Sequence, residues 1–600
     1  MYKFIYSYMV IALLAAGCES KSSEEIVNNP VNIYITEFTF QGLGNHFVDI
    51  QEREDKGVIK VYVAAGTDIH SLTPDIVHNG STIDPPADEA QDFSKVITYT
   101  LTDENGVTKK YDVVVAFGNA TKTLSKFSST KLGVNAVINQ SKRTVSMLVP
   151  YNTDITKFSP DVQFSGYRIA PDTIAPQDFT KPVVYTVTAT DGSTLNYTVE
   201  LRVSDVPMLL INSSHDISDI GREFWMEGAS YKLHDGKKQQ QHGLVCSGKL
   251  DIKGRGNTSW GFEKKPYSLK LEDGHKTALL GMPAHRRWVL LANSADKTLL
   301  RNELTFKIGQ LFDGLKWTPH AEQVELFFND DYRGVYLLTE HLKIDNDRVD
   351  VPKISDTEPT GGYLLELLNG LAEDPWFQTS HGKVVNIKDP NDNIDAVKNS
   401  IINTVNAAEN SVYAADGGDI SYRQYFDVAS IVDFILVNEV VKNRDVDWGS
   451  VYFYYNPAEN KFFFGPLWDF DIAFGNATPG EEAYNPERFT ARPCTIWLKH
   501  LFNDPDFREQ VKVRWKEKSQ QVHDILKYID QATAYIDDAQ QRNFERWNVM
   551  NESIWPNLPI QGSYEAEVEF VRNYFTLRLQ WLDANIDNLN NSALFGPCNH

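Results

Sequence analysis

Three carboxylates near residue 450 have the types and spacing of a phosphoryl-transfer centre. Asp445 stands in Asn443-Arg444-Asp445-Val446-Asp447, and Asp469 and Asp471 stand in Gly465-Pro466-Leu467-Trp468-Asp469-Phe470-Asp471. A loop carboxylate, a short hairpin and then a second carboxylate is the order in which phosphotransferases set a proton-accepting Asp and a metal-holding Asp. Either Asp alone would ordinarily be a turn or cap residue, because its side chain satisfies backbone N–H groups. The setting of the second pair argues further. Phe464, Trp468, Phe470 and Phe474 flank it, and carboxylates in an apolar neighbourhood are costly unless they hold a cation or a donor. A divalent-metal site at Asp469 and Asp471 is the expectation.

The elements that must position these groups are readable around them. Residues 451–455 are aromatic and β-branched, 456–460 form a turn cluster, and 461–464 make a second short strand, so a β-hairpin is expected. A hairpin returns its ends to one sheet edge, which brings Asp445 and Asp469 together. Asp427 is placed to cap a helix over 428–441, whose Val428, Ile431, Val432 and Ile435 form an apolar stripe. Upstream, a strand at 249–253 leads through the glycine-containing loop 254–261 to a returning strand at 264–271. Gly allows close backbone approach there and Lys neutralises phosphate charge, although such a turn is most often only a turn. A helix is expected over 296–312, a hairpin over 324–339 that ends in Glu340-His341, and a strand at 361–366. Beyond Trp497, apolar residues from Val511 to Trp581 recur at helical spacing and read as core packing.

With 600 residues and 42% hydrophobic content, the chain has room for three or four folded domains. A net charge of -23 without a long basic run argues against a nucleic-acid partner. Lys3 followed by an apolar run too short to span a bilayer, then Leu14-Ala15-Ala16-Gly17-Cys18, resembles a bacterial lipoprotein signal. The expectation is cleavage after residue 17, lipidation of Cys18, a polar tether over 18–31, and attachment to the outer membrane at the cell surface or on its periplasmic face. Cys246, Cys494 and Cys598 allow at most one intrachain disulfide, and no thiolate zinc motif is present.

Residues 32–204 contain one pattern twice. Pro74-Asp75-Ile76 returns as Pro160-Asp161-Val162, Gln91-Asp92-Phe93 as Gln177-Asp178-Phe179, and Tyr99-Thr100-Leu101 as Tyr185-Thr186-Val187, at one constant offset. Alternating Val, Thr and Tyr with Asp-Gly and Asn-Gly turns predicts two tandem all-β, Ig-like antiparallel sandwiches at 32–117 and 118–204. They resemble the spacer or binding modules of surface lipoproteins in Bacteroidetes-type bacteria.

The motifs Arg255-Gly256-Asn257-Thr258-Ser259-Trp260, Lys264-Lys265-Pro266-Tyr267-Ser268-Leu269, Leu300-Arg301-Asn302, Gly334 to Glu340, Gly361 to Glu366, Asn438-Glu439, Asn443 with Asp445, and Gly465 to Asp471 are collinear. Together they resemble the spore-coat protein H (CotH) kinase family across 205–590. The resemblance implies an α+β, atypical protein-kinase-like fold that binds ATP with Mg2+ or Mn2+ and phosphorylates Ser or Thr of a protein whose identity stays open. Carried over by position, Lys265 would meet the nucleotide phosphates, Asp445 would act on the acceptor hydroxyl, and Asp469 would hold the metal, with Asp471 as a further ligand. Arg255, Asn257, Arg301 and Glu340 would line the nucleotide pocket, and Glu340 either pairs with the Lys or is structural. Asn443 in place of the usual His and Ser450 in place of the usual Asn depart from ordinary protein kinases, so the number of metals is open.

Two other readings compete. One is a non-catalytic adhesin or glycan- or protein-binding lipoprotein that reuses the fold. The other is a glycoside hydrolase working with two carboxylates, which would leave the Lys and the Gly-containing loop unexplained.

Overall fold

The computed structural model describes residues 33–598 except 45–46, 55, 240–243, 273, 275, 355–359, 369–374, 391–393, 447, 556 and 558–559. The expected signal, Cys18 and the tether lie outside the described residues. A β-rich N-terminal region precedes a mixed α/β domain. By contact density the chain divides into two compact units, the first built mainly from residues up to Ser125 and the second containing everything from Tyr197 onward.

In the first unit, the strands Phe47–Gln51, Lys56–Val63, Thr108–Phe117, Ile97–Thr102 and Thr82–Asp84 form one sheet in that order. A two-stranded sheet, Ile35–Phe40 with Pro74–His78, contributes Phe38, Phe40 and Ile76 to a common core with Ile59, Val61, Tyr99 and Val113. The all-antiparallel expectation is corrected at the centre. Lys56–Val63 runs parallel to Thr108–Phe117, pairing Val58 with Asp112. Parallel neighbours need a long crossover, and the intervening strands provide it. The duplication keeps this feature, because Thr144 pairs with Thr198 in the parallel ladder of Thr144–Val149 and Thr194–Val203.

In the second unit, seven strands close into a barrel: Met208–Asn212, Met226–His234, Leu244–Gly254, Tyr267–Leu271, Arg287–Leu291, Asp331–Glu340 and Ala321–Phe328, the last returning parallel to the first. Leu209, Leu233, Ile252, Leu269, Trp288, Leu326 and Leu338 fill it. A second sheet orders Trp376–Gln378, Val384–Asp389, Tyr363–Leu368, Val451–Asn456 and Lys461–Phe464, all antiparallel. The expected hairpin is its edge, with Phe453 opposite Phe464.

Against this sheet packs the helix Val428–Val441, which is buried from Ser430 to Val441; Asp427 caps it by accepting the Ser430 N–H at 2.8 Å. The helix expected over 296–312 spans only Arg301–Gly309. The Asp296 carboxylate accepts the backbone N–H groups of Thr298 and Arg301, and Leu299 adopts a φ of 62°, so the chain turns before the helix starts. Helices Ile394–Ala414, Pro505–His523, Ile525–Tyr535, Asp537–Arg546 and Tyr564–Asn585 belong to the same domain. No helix among the described residues is long and apolar enough to cross a membrane.

Candidate functional site

The Gly-containing loop closes one wall of a cleft of about 1790 Å³. Its glycines are required by close approach. A Cβ on Gly254 would come within 2.3 Å of the Trp260 ring, and one on Gly256, at φ +79°, would lie 2.1 Å from the Ser259 hydroxyl. Arg222 ties the turn by donating to the Gly256 carbonyl at 2.8 Å and to Asn257 Oδ1 at 3.0 Å. Arg255 and Asn257 line the cleft, the Arg255 guanidinium lying 4.9 Å from the centre of the Trp468 ring.

Lys265 does not line the cleft. Its ammonium donates to the carbonyls of Trp260 at 2.7 Å and Phe262 at 3.2 Å and sits 4.7 Å from the Trp260 ring centre, so it braces the loop from behind. Lys264 is buried with Nζ on the Val335 carbonyl and Asn543 Oδ1, and burial pushes its ammonium down to about 7. The lysines that line the cleft are Lys253 and Lys388.

The loop after Val428–Val441 turns at Lys442, whose φ of 49° ends the helix. Asn443 then holds the next residues: its Nδ2 donates to Asn438 Oδ1 at 3.0 Å, and its Oδ1 accepts the Asp445 N–H at 3.1 Å. The Asp445 carbonyl accepts the Trp448 N–H at 3.0 Å. Val446 is buried against the disulfide between Cys494 and Cys598; Cys246 stays a thiol.

Asp469 sits at φ +68°, a left-handed conformation that costs free energy in a non-glycine residue and here turns the carboxylate toward the cleft. The next residue is pinned where Asn302 Oδ1 accepts the Phe470 N–H at 2.8 Å. Asn476 Nδ2 donates to the Asp471 carbonyl at 2.7 Å, and Arg301 Nε donates to the Ala473 carbonyl at 2.9 Å. Arg301 is wholly buried on Asp296, so it shapes this segment without reaching the cleft. Glu340 is likewise buried away from the cleft, facing His320 Nδ1 at 3.0 Å and Arg348 at 3.9 Å.

Asp445, Asp469 and Asp471 line the same cleft. Desolvation raises the Asp471 carboxyl well above its ordinary value, and the charges of Asp469, Asp296 and Asp445 add to the shift. Asp469 is also raised by desolvation, while Arg255 and a hydrogen bond from the Ser450 hydroxyl oppose the rise. Asp469 keeps solvent access, so this desolvation belongs to a cleft floor and not to a sealed core. Among the described residues no three His, Cys, Asp or Glu side chains converge as a self-sufficient metal cage. A pair of crowded carboxylates fits Mg2+ nevertheless, because that ion is usually held by one or two carboxylates and completed by phosphate oxygens and water.

Sequence reasoning passed over a polar row in the lining of the same cleft. Asn386, Glu366 and Tyr452 are direct neighbours across three strands, and Lys388 reaches Glu366 at 3.1 Å. The signal was a charge interrupting the apolar strand at Glu366. It also passed over Trp225, which lines the cleft and whose ring has Lys253, Lys270 and Arg287 at 5.3, 5.1 and 4.7 Å from its centre.

A strand barrel, a helical body with its own sheet, and a cleft carrying a glycine-containing loop and three carboxylates make up a mixed α/β domain. The profile of the CotH kinase protein family matches residues 252–582, more than half of the chain, and the chain belongs to that family. The N-terminal domain of the SGBP family matches twice, at 35–115 and 124–201. No curated protein matches the chain. A solved structure from Bacteroides thetaiotaomicron VPI-5482, described provisionally as a glycoside hydrolase, is similar at 28% identity over 21% of this chain, with a TM-score of 0.14; the chain spans 36% of that protein's length.

Proposed function

We propose that the cleft binds a nucleoside triphosphate with Mg2+ or Mn2+ and transfers its terminal phosphoryl group to an acceptor hydroxyl. The observation that carries this reading is the convergence of Asp445, Asp469 and Asp471 opposite Arg255 in one cleft. Asp469 and Asp471 would hold the metal, which when bound neutralises developing charge on the phosphates. Arg255 supplies fixed positive charge over the same region. The Asp445 carboxylate accepts the proton of the acceptor hydroxyl as its oxygen bonds to phosphorus and the nucleoside diphosphate leaves. Lys265 acts through the loop it braces, and Arg301 and Glu340 act as parts of the scaffold.

The doubled SGBP N-terminal match supports a place at the cell surface. The run Leu14-Ala15-Ala16-Gly17-Cys18 supports lipidated Cys18 as the anchor, and the strand-rich repeats support two Ig-like sandwiches that space or bind. The same match favours a second reading, glycan binding without turnover. The two separate in an assay of radiolabelled ATP with Mg2+ or Mn2+. Label transfer that disappears in Asp445→Asn and Asp469→Asn supports the first reading. Its absence in the wild-type protein, together with nucleotide affinity no better than that of an unrelated lipoprotein, supports the second.

A further inference from the structure

The cleft is larger than one nucleotide requires. Small-molecule and cofactor sites typically occupy about 300–1,000 Å³, whereas this one measures about 1790 Å³. The surplus has a distinct lining beside Asp445. Trp448, three residues on, donates its backbone N–H to the Asp445 carbonyl, yet its side chain is 53% exposed. Trp555 is 51% exposed, with the Arg444 guanidinium 5.3 Å from its ring centre and Arg444 itself held by Glu481 at 2.7 Å. Both indoles line the cleft. Exposed apolar surface rimmed by polar residues is a mark of a ligand-binding groove.

We propose that Trp448 and Trp555 form a stacking platform for a saccharide, and that the acceptor hydroxyl belongs to a glycan and not to the Ser or Thr of a protein that the family resemblance suggests. This rests on the phosphotransfer reading. The chemistry of the lining favours a sugar. Flat indole faces suit the C–H faces of pyranose rings, and Glu366, Asn386 and Lys388 add donors and acceptors of both kinds to the lining of the same cleft. A peptide that adds as a strand would instead need an open sheet edge. The cleft meets the second sheet at the face carrying Glu366, Asn386 and Tyr452, whereas the edge strands of that sheet are Trp376–Gln378 and Lys461–Phe464, and aliphatic side chains are sparse in the lining. The SGBP-type repeats in the same chain are a further argument for a saccharide.

The test uses the full chain in detergent without nucleotide. Calorimetry is run with cellohexaose, xylohexaose, maltohexaose and mannohexaose, and label transfer from ATP is then measured to each sugar and to casein. The proposal expects at least one sugar to bind and to accept label. Trp448→Ala/Trp555→Ala should weaken that binding by about tenfold or more, at an unchanged melting temperature. Trp555→Phe should retain most of it. Failure of all four sugars to bind, sugar binding indifferent to the double substitution, or label transfer to casein alone would each overturn it. Platform-dependent sugar binding with no label transfer to any acceptor would overturn the phosphotransfer reading and leave the saccharide surface standing.

Discussion

Asn302, in the first turn of the helix Arg301–Gly309, accepts through its Oδ1 the backbone N–H of Phe470 at 2.8 Å. One side chain thereby holds the residue that separates Asp469 from Asp471. Both partners are buried, so Asn302→Ala strands an N–H group at a cost of about 1–3 kcal/mol. The expected outcome is a lower melting temperature together with weakened metal-nucleotide binding. Calorimetry of both quantities checks it.

The crowding of carboxylates gives a second prediction. Burial, and then the charges of Asp469, Asp296 and Asp445, disfavour an ionised Asp471, and an amide at that position carries no such cost. Asp471→Asn should therefore be at least as stable as the wild type without metal, yet gain nothing from Mg2+ or Mn2+. Wild type should gain about 2.7 kcal/mol at a hundredfold excess of metal over its dissociation constant. Thermal unfolding with and without metal separates the two proteins.

Val446 packs on the Cys494–Cys598 disulfide, so this crosslink supports the loop that carries Asp445. It closes a sequence separation of 104 residues, and its loss should destabilise the domain by about 2–4 kcal/mol. Cys494→Ser/Cys598→Ser should melt earlier and lose turnover, and wild type with a reductant should behave the same way. A disulfide at this position also accords with folding in an oxidising compartment.

Acid should weaken the barrel through two histidines. Burial, followed by the nearby Arg348 charge, pushes His285 down to about 4 against the pull of Asp345; burial and then Arg255 push His341 down to about 3. The folded state therefore resists protonation that the unfolded chain accepts below its ordinary value of 6.5. The contribution of the two histidines to stability should be constant above that value and fall steadily as the pH drops from 6.5 toward 4. His285→Asn should reduce the slope in denaturant titrations across that window.

Much of this site was legible in sequence because local rules and tertiary packing agree there. The hairpin between Asp445 and Asp469 has strand chemistry on both arms and a turn between them, and Asp427 caps its helix as its position indicates. The parallel pairing of Val58 with Asp112 was not legible, since alternation reports which face a residue occupies and says nothing of strand direction. The start of the helix at Arg301 was hidden because the Asp296 carboxylate takes backbone N–H groups that a helix would otherwise use. Lys265 stands in a motif beside the Gly-containing loop, but motif position does not reveal side-chain direction, and the Trp260 and Phe262 carbonyls take its ammonium. Glu366, Asn386 and Tyr452 become one row only when three distant segments pair.

The most direct test is transfer of radiolabelled phosphate from ATP by the full chain with Mg2+ or Mn2+, beside Asp445→Asn. Proton acceptance by a placed carboxylate typically contributes about 10²–10⁴ in rate. Asp445→Asn is expected to retain nucleotide binding and to lose transfer by a factor in that range. Equal transfer by wild type and Asp445→Asn, with both proteins binding nucleotide, would contradict that expectation.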